Sequence, residues 1–399
     1  MNGSLEAVRV SNHVYWVGAI DWNVRDFHGY STRRGSTYNA YLVVGDRIAL
    51  VDTVKRPFLG EMLARVSSVL PPDRIDYVVC NHAEMDHSGS LPEVLAAVGP
   101  EQALASKAGV SALQEHFHLD RALAAVSDLG TLDLSGVTLT FVEARMLHWP
   151  DSMLTYVAED KLLLSNDAFG MHLASGERFA DQIPEHLLEE EARRYFANIL
   201  TPFTPLILKL LERVKGLGIP IDTIAPSHGP VWRNPGWIVE RYARWSAGEA
   251  TGKAVVVYDT MWGSTEKLAL AIAEGLIAEG VPTKVMSLKA NDRSDVVAEL
   301  MGASAVAIGS PTLNNNVFPT VADLLVYLKG LRPRKLVGAA FGSYGWSGEA
   351  PKQIAEALGE MKVEVVGEPL TSKYVPEREA LARGVAFGRE IAAAVKQKA

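Results

Sequence analysis

The residues best suited to chemistry cluster in Asn81-His82-Ala83-Glu84-Met85-Asp86-His87-Ser88-Gly89, directly after the apolar run Ile75–Cys80. His82, Glu84, Asp86 and His87 fall within six residues. A helix would scatter such neighbours around its circumference, whereas an irregular loop leaving a buried strand turns several toward one point. Charged groups gathered there need a counter-charge, and a metal supplies it. Three more candidates each follow an expected strand: His148 after Thr138–Val142, Asp167 after Leu162–Leu164, and His228 after Ile221–Ala225. Alone, His148 or His228 reads as a surface or satisfied core histidine, and Asp167 as a turn residue. Beside the dense cluster, all three read as ligands that the strand ends of one core bring together. Three carboxylates and four histidines are enough for two first-row ions with one carboxylate bridging. Mixed imidazole and carboxylate ligation suits iron or manganese, with zinc chemically possible.

A second group of loops has the makings of a nucleotide site. Asp259-Thr260-Met261-Trp262-Gly263-Ser264-Thr265 joins an apolar strand to a helix. The hydroxyls of Thr260, Ser264 and Thr265, the loop N–H groups and the helix N-terminus make a nest for a phosphate. No Gly-Lys-Ser/Thr closes the loop and no Gly-x-Gly-x-x-Gly is present, so neither a P-loop nor a dinucleotide fingerprint applies. Alone, it is as well explained by an ordinary helix cap. Ser310-Pro311-Thr312-Leu313-Asn314-Asn315-Asn316 adds groups that hydrogen-bond a heterocycle. Gly342-Ser343-Tyr344-Gly345-Trp346-Ser347-Gly348 adds glycines that permit close approach and aromatics that cover a ring.

These loops require two kinds of scaffold. In the first part of the chain, Ala40–Asp52 and Met153–Asp167 read as hairpins about Gly45-Asp46 and Glu159-Asp160. Helices are expected over 58–70, 109–117, 185–200 and 205–215. Trp245–Lys253 reads as a small-residue linker, placing domains at residues 1–250 and 251–399. After it, strands at 254–258, 283–287, 305–309, 336–341 and 363–368 alternate with helices at 265–279, 294–301, 320–331, 349–361 and 377–396. That pattern is a parallel, doubly wound α/β sheet, with all three nucleotide loops at strand C-termini near its switch point.

Bulk properties narrow the class. A chain of 399 residues exceeds one ordinary core. Its net charge of −8 argues against nucleic acid and against an anionic membrane surface. Met1 to Val10 lacks a basic-then-apolar signal pattern, and no apolar run is long enough to span a bilayer, so a cytoplasmic protein is expected. The single cysteine, Cys80, excludes an internal disulfide, a cysteine-ligated iron–sulfur cluster and a rubredoxin module, and reads as a packed core residue.

The hairpin-rich domain and its His-x-x-x-Asp-His frame resemble the metallo-β-lactamase superfamily, an αββα sandwich. Zinc hydrolases of that superfamily usually carry His where this chain has Glu84. The motif HAEMDHSG, followed by His148, Asp167 and His228, is similar instead to the flavodiiron proteins, and the resemblance covers both domains in the family's order. It implies two irons bridged by Asp167, with His82, Glu84 and His148 completing one and Asp86, His87 and His228 the other. The second domain resembles flavodoxin-like modules of strand order 2-1-3-4-5, which implies flavin mononucleotide (FMN). Trp346 is the candidate to pack on the isoalloxazine, the alternative being a partly buried core tryptophan.

The implied enzyme passes electrons from FMN to the diiron site, where nitric oxide is reduced to nitrous oxide or dioxygen to water. His28 and Tyr195 are candidate groups beside the irons by resemblance; Trp149 is expected to pack against the site. Rubredoxin or a reduced deazaflavin is the expected donor, and a head-to-tail homodimer or dimer of dimers the expected assembly. Two other readings are a dinuclear zinc hydrolase with an appended flavin domain, and an electron-transfer flavoprotein whose metal domain is only structural.

Overall fold

Alternation along the strands decides which layers meet. In Tyr41–Val44 and Ile48–Val51, Leu42 and Leu50 point to one side while Tyr41, Val43, Ala49 and Val51 point to the other, and all are buried. Tyr77–Cys80 repeats the pattern, Val78 and Cys80 against Tyr77 and Val79. A strand apolar on both sides must be covered on both. In the computed structural model, which describes residues 5–398, these strands belong to a seven-stranded sheet ordered Val8–Arg9, Val14–Trp16, Tyr41–Val44, Ile48–Val51, Tyr77–Cys80, Gln102–Ser106, Ala124–Val126. One face packs on helices through Met62, Val66, Leu95 and Leu113. The other meets a five-stranded sheet, Thr131–Asp133 to Thr223–Pro226, through Leu139, Phe141, Val157, Leu162 and Leu164. This is the metallo-β-lactamase-like sandwich. Both expected hairpins form, pairing Val44 with Ile48 and Val157 with Leu162. Cys80 is buried in the core, and its thiol donates to the His82 carbonyl.

The second body is a parallel sheet ordered Thr283–Ser287, Lys253–Tyr258, Ala303–Leu313, Val337–Tyr344 and then Glu364–Val365 with Leu370–Lys373, the flavodoxin order 2-1-3-4-5. Val255 and Val257 face the helices Arg293–Leu300, Pro319–Leu331 and Glu349–Glu360; Ala254, Val256 and Tyr258 face Ser264–Ala278 and Arg378–Lys398.

One compact unit takes the described chain up to His28, Thr32–Phe196 and Pro205–Ala243; the other takes Gly29–Ser31, Ala197–Thr204 and the described chain from Arg244 onward. The reading of the first ten residues falls partly on 1–4, outside the described residues. Among the described residues no helix is long and apolar enough to cross a membrane.

Several local expectations are corrected. Trp245, Ser246 and Ala247 are the last turn of the helix Gly236–Ala247, leaving 248–252 as the connection. The helix expected over 185–200 is α-helical over Glu185–Tyr195 and then relaxes into a π-turn, Phe196–Leu200. The third strand of the second sheet continues through Ser310, Pro311 and Thr312 to Leu313, expected as loop. Its neighbour Lys253–Tyr258 stops pairing at Gly309, so the missing N–H of Pro311 falls where that edge is free. The fifth strand is split in two instead of running over 363–368.

Candidate metal centre and cofactor cleft

Four strand ends deliver the metal candidates. Tyr77–Cys80 lies parallel to both neighbours in the first sheet and releases the loop carrying His82 and Glu84. Met85–Ser88 is one helical turn, so Asp86 and His87 sit on a turn and not on an irregular loop. Leu162–Asn166 and Thr223–Pro226, parallel in the second sheet, release Asp167 and His228. The loop after Thr138–Glu143 brings His148.

All seven side chains converge, in two groups that share one carboxylate. Asp167 Oδ2 lies 3.6 Å from His82 Nε2 and 3.4 Å from His148 Nε2. Glu84 Oε2 lies 3.3 and 3.2 Å from the same two nitrogens. Asp167 Oδ1 lies 3.2 Å from His87 Nε2 and 3.4 Å from His228 Nε2. Asp86 completes that side, Oδ1 at 3.3 Å from His87 and Oδ2 at 3.1 Å from His228.

The electrostatics are those of a cation trap. Burial alone would lower the His82 imidazole, but Asp151, Glu84 and Asp167 push it up to about 10. His148 is likewise lowered by burial and carried up to about 10 by Asp167 and Glu84; His87 rises to about 9 beside Asp86 and Asp167. Burial would raise the Asp167 carboxyl, yet His87 and His148 hold it well below its ordinary range. Both oxygens of Asp167 and of Asp86, and Nε2 of His82 and of His87, are buried without a hydrogen-bond partner. Buried polar atoms are rarely left so, and this donor set suits two hard-to-borderline divalent cations.

The imidazoles are held from behind. His82 Nδ1 donates to Asp151 Oδ2 at 3.0 Å, and His228 Nδ1 donates to the Thr37 carbonyl at 2.6 Å, fixing both tautomers with Nε2 inward. His28 Nε2 reaches Glu84 Oε1 at 3.1 Å with its ring largely in solvent. Tyr195 is buried, its ring 6.2 Å from His228, and burial raises its phenol well above the ordinary value. Trp149 packs edge-on against His82 at 5.1 Å. Sequence reasoning missed His172, which is fully buried, 4.7 Å from the His228 ring and bonded to Ser36. It also missed Asp151, whose one signal is a carboxylate three residues after a candidate ligand.

The second site is a cleft of about 530 Å³ at the C-terminal ends of the parallel strands. From the first loop it is lined by Met261, Trp262 and Ser264; from the second by Pro311, Thr312, Leu313, Asn314 and Asn315; from the third by Ser343, Tyr344, Gly345 and Trp346. Trp346 is 85% exposed and Trp262 93%, so neither is a core residue. Thr260, Gly263, Thr265 and Gly348 shape the loops behind this lining. Thr260 accepts the Gly263 N–H at 3.0 Å, and Thr265 pairs with Ser343 at 2.9 Å. Gly263 sits at φ 82°, and no side chain caps the helix Ser264–Ala278, which leaves its first-turn N–H groups for an anion. Asn314 and Asn315 both have positive φ and close a hairpin between Leu313 and Asn316, a turn that favours asparagine. Tyr374 and Val375, also in the lining, were missed because the strand before them is interrupted.

Residues 37–229 match the family model described as ODP family beta lactamase, and residues 256–388 match the flavodoxin model. The chain is 48% identical to the nitric oxide reductase of Moorella thermoacetica, over 98% of this chain and 99% of the relative. The solved rubredoxin oxygen:oxidoreductase of Desulfovibrio gigas superposes with a TM-score of 0.96 at 44% identity, covering 98% of this chain and 99% of that one. The solved flavodiiron protein of Giardia intestinalis does so with a TM-score of 0.94 at 34% identity, covering 100% and 98%.

The chain belongs to the flavodiiron protein family. A flavodiiron protein is an oxidoreductase whose cofactors are FMN and a non-haem diiron centre, and both sets of residues fit those groups. The seven converging ligand-type side chains suit two irons, and four of them, His82, Asp86, His87 and Asp167, have orphaned buried atoms. The uncapped helix start and the aromatic cleft suit a phosphate joined to a planar ring. Relatives of this kind favour the flavodiiron reading over a zinc hydrolase.

Proposed function

We propose that this flavodiiron protein reduces nitric oxide, dioxygen or both, with electrons drawn from a separate reduced carrier such as rubredoxin or a deazaflavin. The observation that carries the ligand assignment is the division of the Asp167 carboxylate, one oxygen toward each histidine group. On this reading Asp167 bridges, His82, Glu84 and His148 hold one iron, and Asp86, His87 and His228 hold the other. When bound, the two irons supply a place for a diatomic oxidant and the flavin supplies electrons singly or in pairs.

The chain's own residues do the rest. Asp151 and Thr37 orient the ligand imidazoles. His28, between solvent and Glu84 Oε1, is placed to hand a proton inward. Tyr195 keeps its phenolic proton under these conditions and offers a hydroxyl donor beside Asp167. Met261, Trp262, Trp346 and Tyr374 would cover the flavin ring, and the N-terminus of Ser264–Ala278 would take its phosphate.

The domain limits are proposed at 1–250 and 251–399. A head-to-tail homodimer, with further pairing into a dimer of dimers, is supported by exposed apolar residues at both sites. Trp262 and Trp346 stand out around the flavin cleft, and Met85 and Met146 near the metal ligands. In such a dimer each rim covers the other. A cytoplasmic location accords with the sequence pattern.

The test is metal and flavin content of the purified protein, then anaerobic consumption of nitric oxide and of dioxygen with a chemical reductant. About two irons and one FMN per chain with gas consumed is expected, and the relative rates rank the substrates. Zinc in place of iron, with no gas consumed after anaerobic iron reconstitution, would overturn the reading.

A further inference from the structure

The loop that carries His228 is gripped from one side by a single short stretch of chain. The His228 Nδ1–H donates to the Thr37 carbonyl at 2.6 Å, and Thr37 Oγ1 accepts the Gly229 N–H at 2.8 Å. Asn39 grips both ends of the same loop. Its Nδ2 donates to the Pro226 carbonyl at 2.7 Å and to the Gly229 carbonyl at 3.0 Å, and its backbone N–H donates to the Ser227 carbonyl at 2.8 Å. Thr37, Asn39, Ser227 and His228 are all at most 2% exposed, so these bonds lie away from bulk solvent.

The orientation of that amide is itself fixed. Trp16 Nε1 donates to Asn39 Oδ1 at 2.8 Å, which obliges both N–H bonds of the amide to face the loop. The Trp16 ring in turn has the Arg65 guanidinium 4.7 Å and the Arg178 guanidinium 4.5 Å from its centroid. A line of contact therefore runs from two arginines through Trp16 and Asn39 to the loop bearing one ligand of one iron.

We propose that Asn39, oriented by Trp16, is a positioning residue that selectively sets the hold on the iron beside Asp86, His87 and His228. This rests on the reading of His228 as a ligand. Asn39 touches neither substrate nor metal and acts through the loop. Replacing it with leucine keeps the approximate volume but leaves the Trp16 N–H and the Gly229 carbonyl buried and unpaired. The loop then relaxes, and His228 Nε2 with it. Loss of such a supporting partner weakens metal affinity about 10–100-fold.

The experiment is iron release from the holoenzyme to an excess of chelator, followed over time alongside flavin content and the electron spin resonance of the half-reduced centre. In Asn39→Leu one of two irons should leave about 10–100-fold faster than in the wild type, and the coupled two-iron signal should give way to a mononuclear one. The second iron and the FMN should stay. Trp16→Phe, which keeps the ring but not its N–H, should accelerate loss of the same iron by less. His228→Ala serves as the control. If it retains both irons at the wild-type rate, the ligand reading fails. If it loses one while Asn39→Leu keeps both, the inference alone fails. Equal acceleration of both irons would also overturn it, since that is general loosening. Should Asn39→Leu not fold, Trp16→Phe is judged by the same criteria.

Discussion

Asp151 holds His82 by the far side of its ring: Oδ2 takes the Nδ1 proton at 3.0 Å, and the same oxygen takes the Ala83 N–H at 2.6 Å. One carboxylate thus fixes both a ligand's tautomer and the backbone next to it. Asp151→Ala should weaken binding of the iron beside His82 about 10–100-fold, measured by competition with a coloured chelator. Asp151→Asn preserves the shape and should lose less. Equal affinities in all three proteins would show that Asp151 has no such role.

Asp167→Ala should remove both irons and abolish gas reduction while the flavin spectrum remains. His148→Ala should compromise one iron only, because its Nε2 faces Glu84 and Asp167 Oδ2 and not the His87 group. Metal analysis with flavin absorbance decides between these patterns, and full iron occupancy in Asp167→Ala would refute the bridge.

At the cleft, Trp346→Ala should weaken FMN binding by more than about 0.5–1.5 kcal/mol, the usual worth of an aromatic stacking contact, because the buried ring area is lost as well. Thr260→Ala removes the acceptor for the Gly263 N–H and should also weaken it, through the turn. Neither change should alter iron content. Fluorescence titration of the flavin-free protein reads the affinities.

A pH-dependent contribution to stability sits away from both sites. Asp160 accepts from Ser11 Oγ, from the His13 N–H at 2.8 Å and from His13 Nδ1 at 2.7 Å, and its carboxylate is almost fully covered. Burial would raise this carboxyl, but those three bonds hold it below the ordinary range. A depressed folded value means the stabilisation is complete above the unfolded value, about 3.9, and is lost as pH falls through the folded one. Asp160→Asn should therefore cost about 1–3 kcal/mol at pH 7, with the gap to wild type narrowing as pH drops from 5 toward 3 in urea unfolding. A gap independent of pH would mean the charge is irrelevant.

What the sequence disclosed, and what it hid, follow from how local each signal is. The hairpin about Gly45-Asp46 was legible because turn residues and alternating apolar residues lie side by side. The ligand candidates were legible because histidines and acids are conspicuous next to apolar strands. Asn39 and Asp151 were not, since a buried amide and a capping carboxylate look like any loop residue until distant chain closes over them. The extension of Ala303–Leu313 through Pro311 was hidden for a related reason: proline argues against a strand unless one edge is known to be unpaired. Asn314 and Asn315 were chosen for their polar groups, and their backbone shows a second reason, the left-handed turn they close.

The two sheets of the sandwich contribute to the metal cluster unequally but jointly. The first supplies His82, Glu84, Asp86 and His87; the second supplies Asp167 and His228 from its parallel pair and His148 from the loop after Thr138–Glu143. An ion held between His87 and Asp167 is then a rivet through the sandwich, fastening layers that otherwise meet through an apolar core and a few buried hydrogen bonds such as Tyr41 to the Pro226 carbonyl. The full set of ligands is assembled only when both sheets have met, so binding by the complete site belongs to the native state. Ligation of the native state alone adds stability as RT ln(1 + [L]/Kd), about 4 kcal/mol at a thousandfold excess over Kd. Stripping the iron should therefore lower the melting temperature of the sandwich and leave that of the flavodoxin fold where it was.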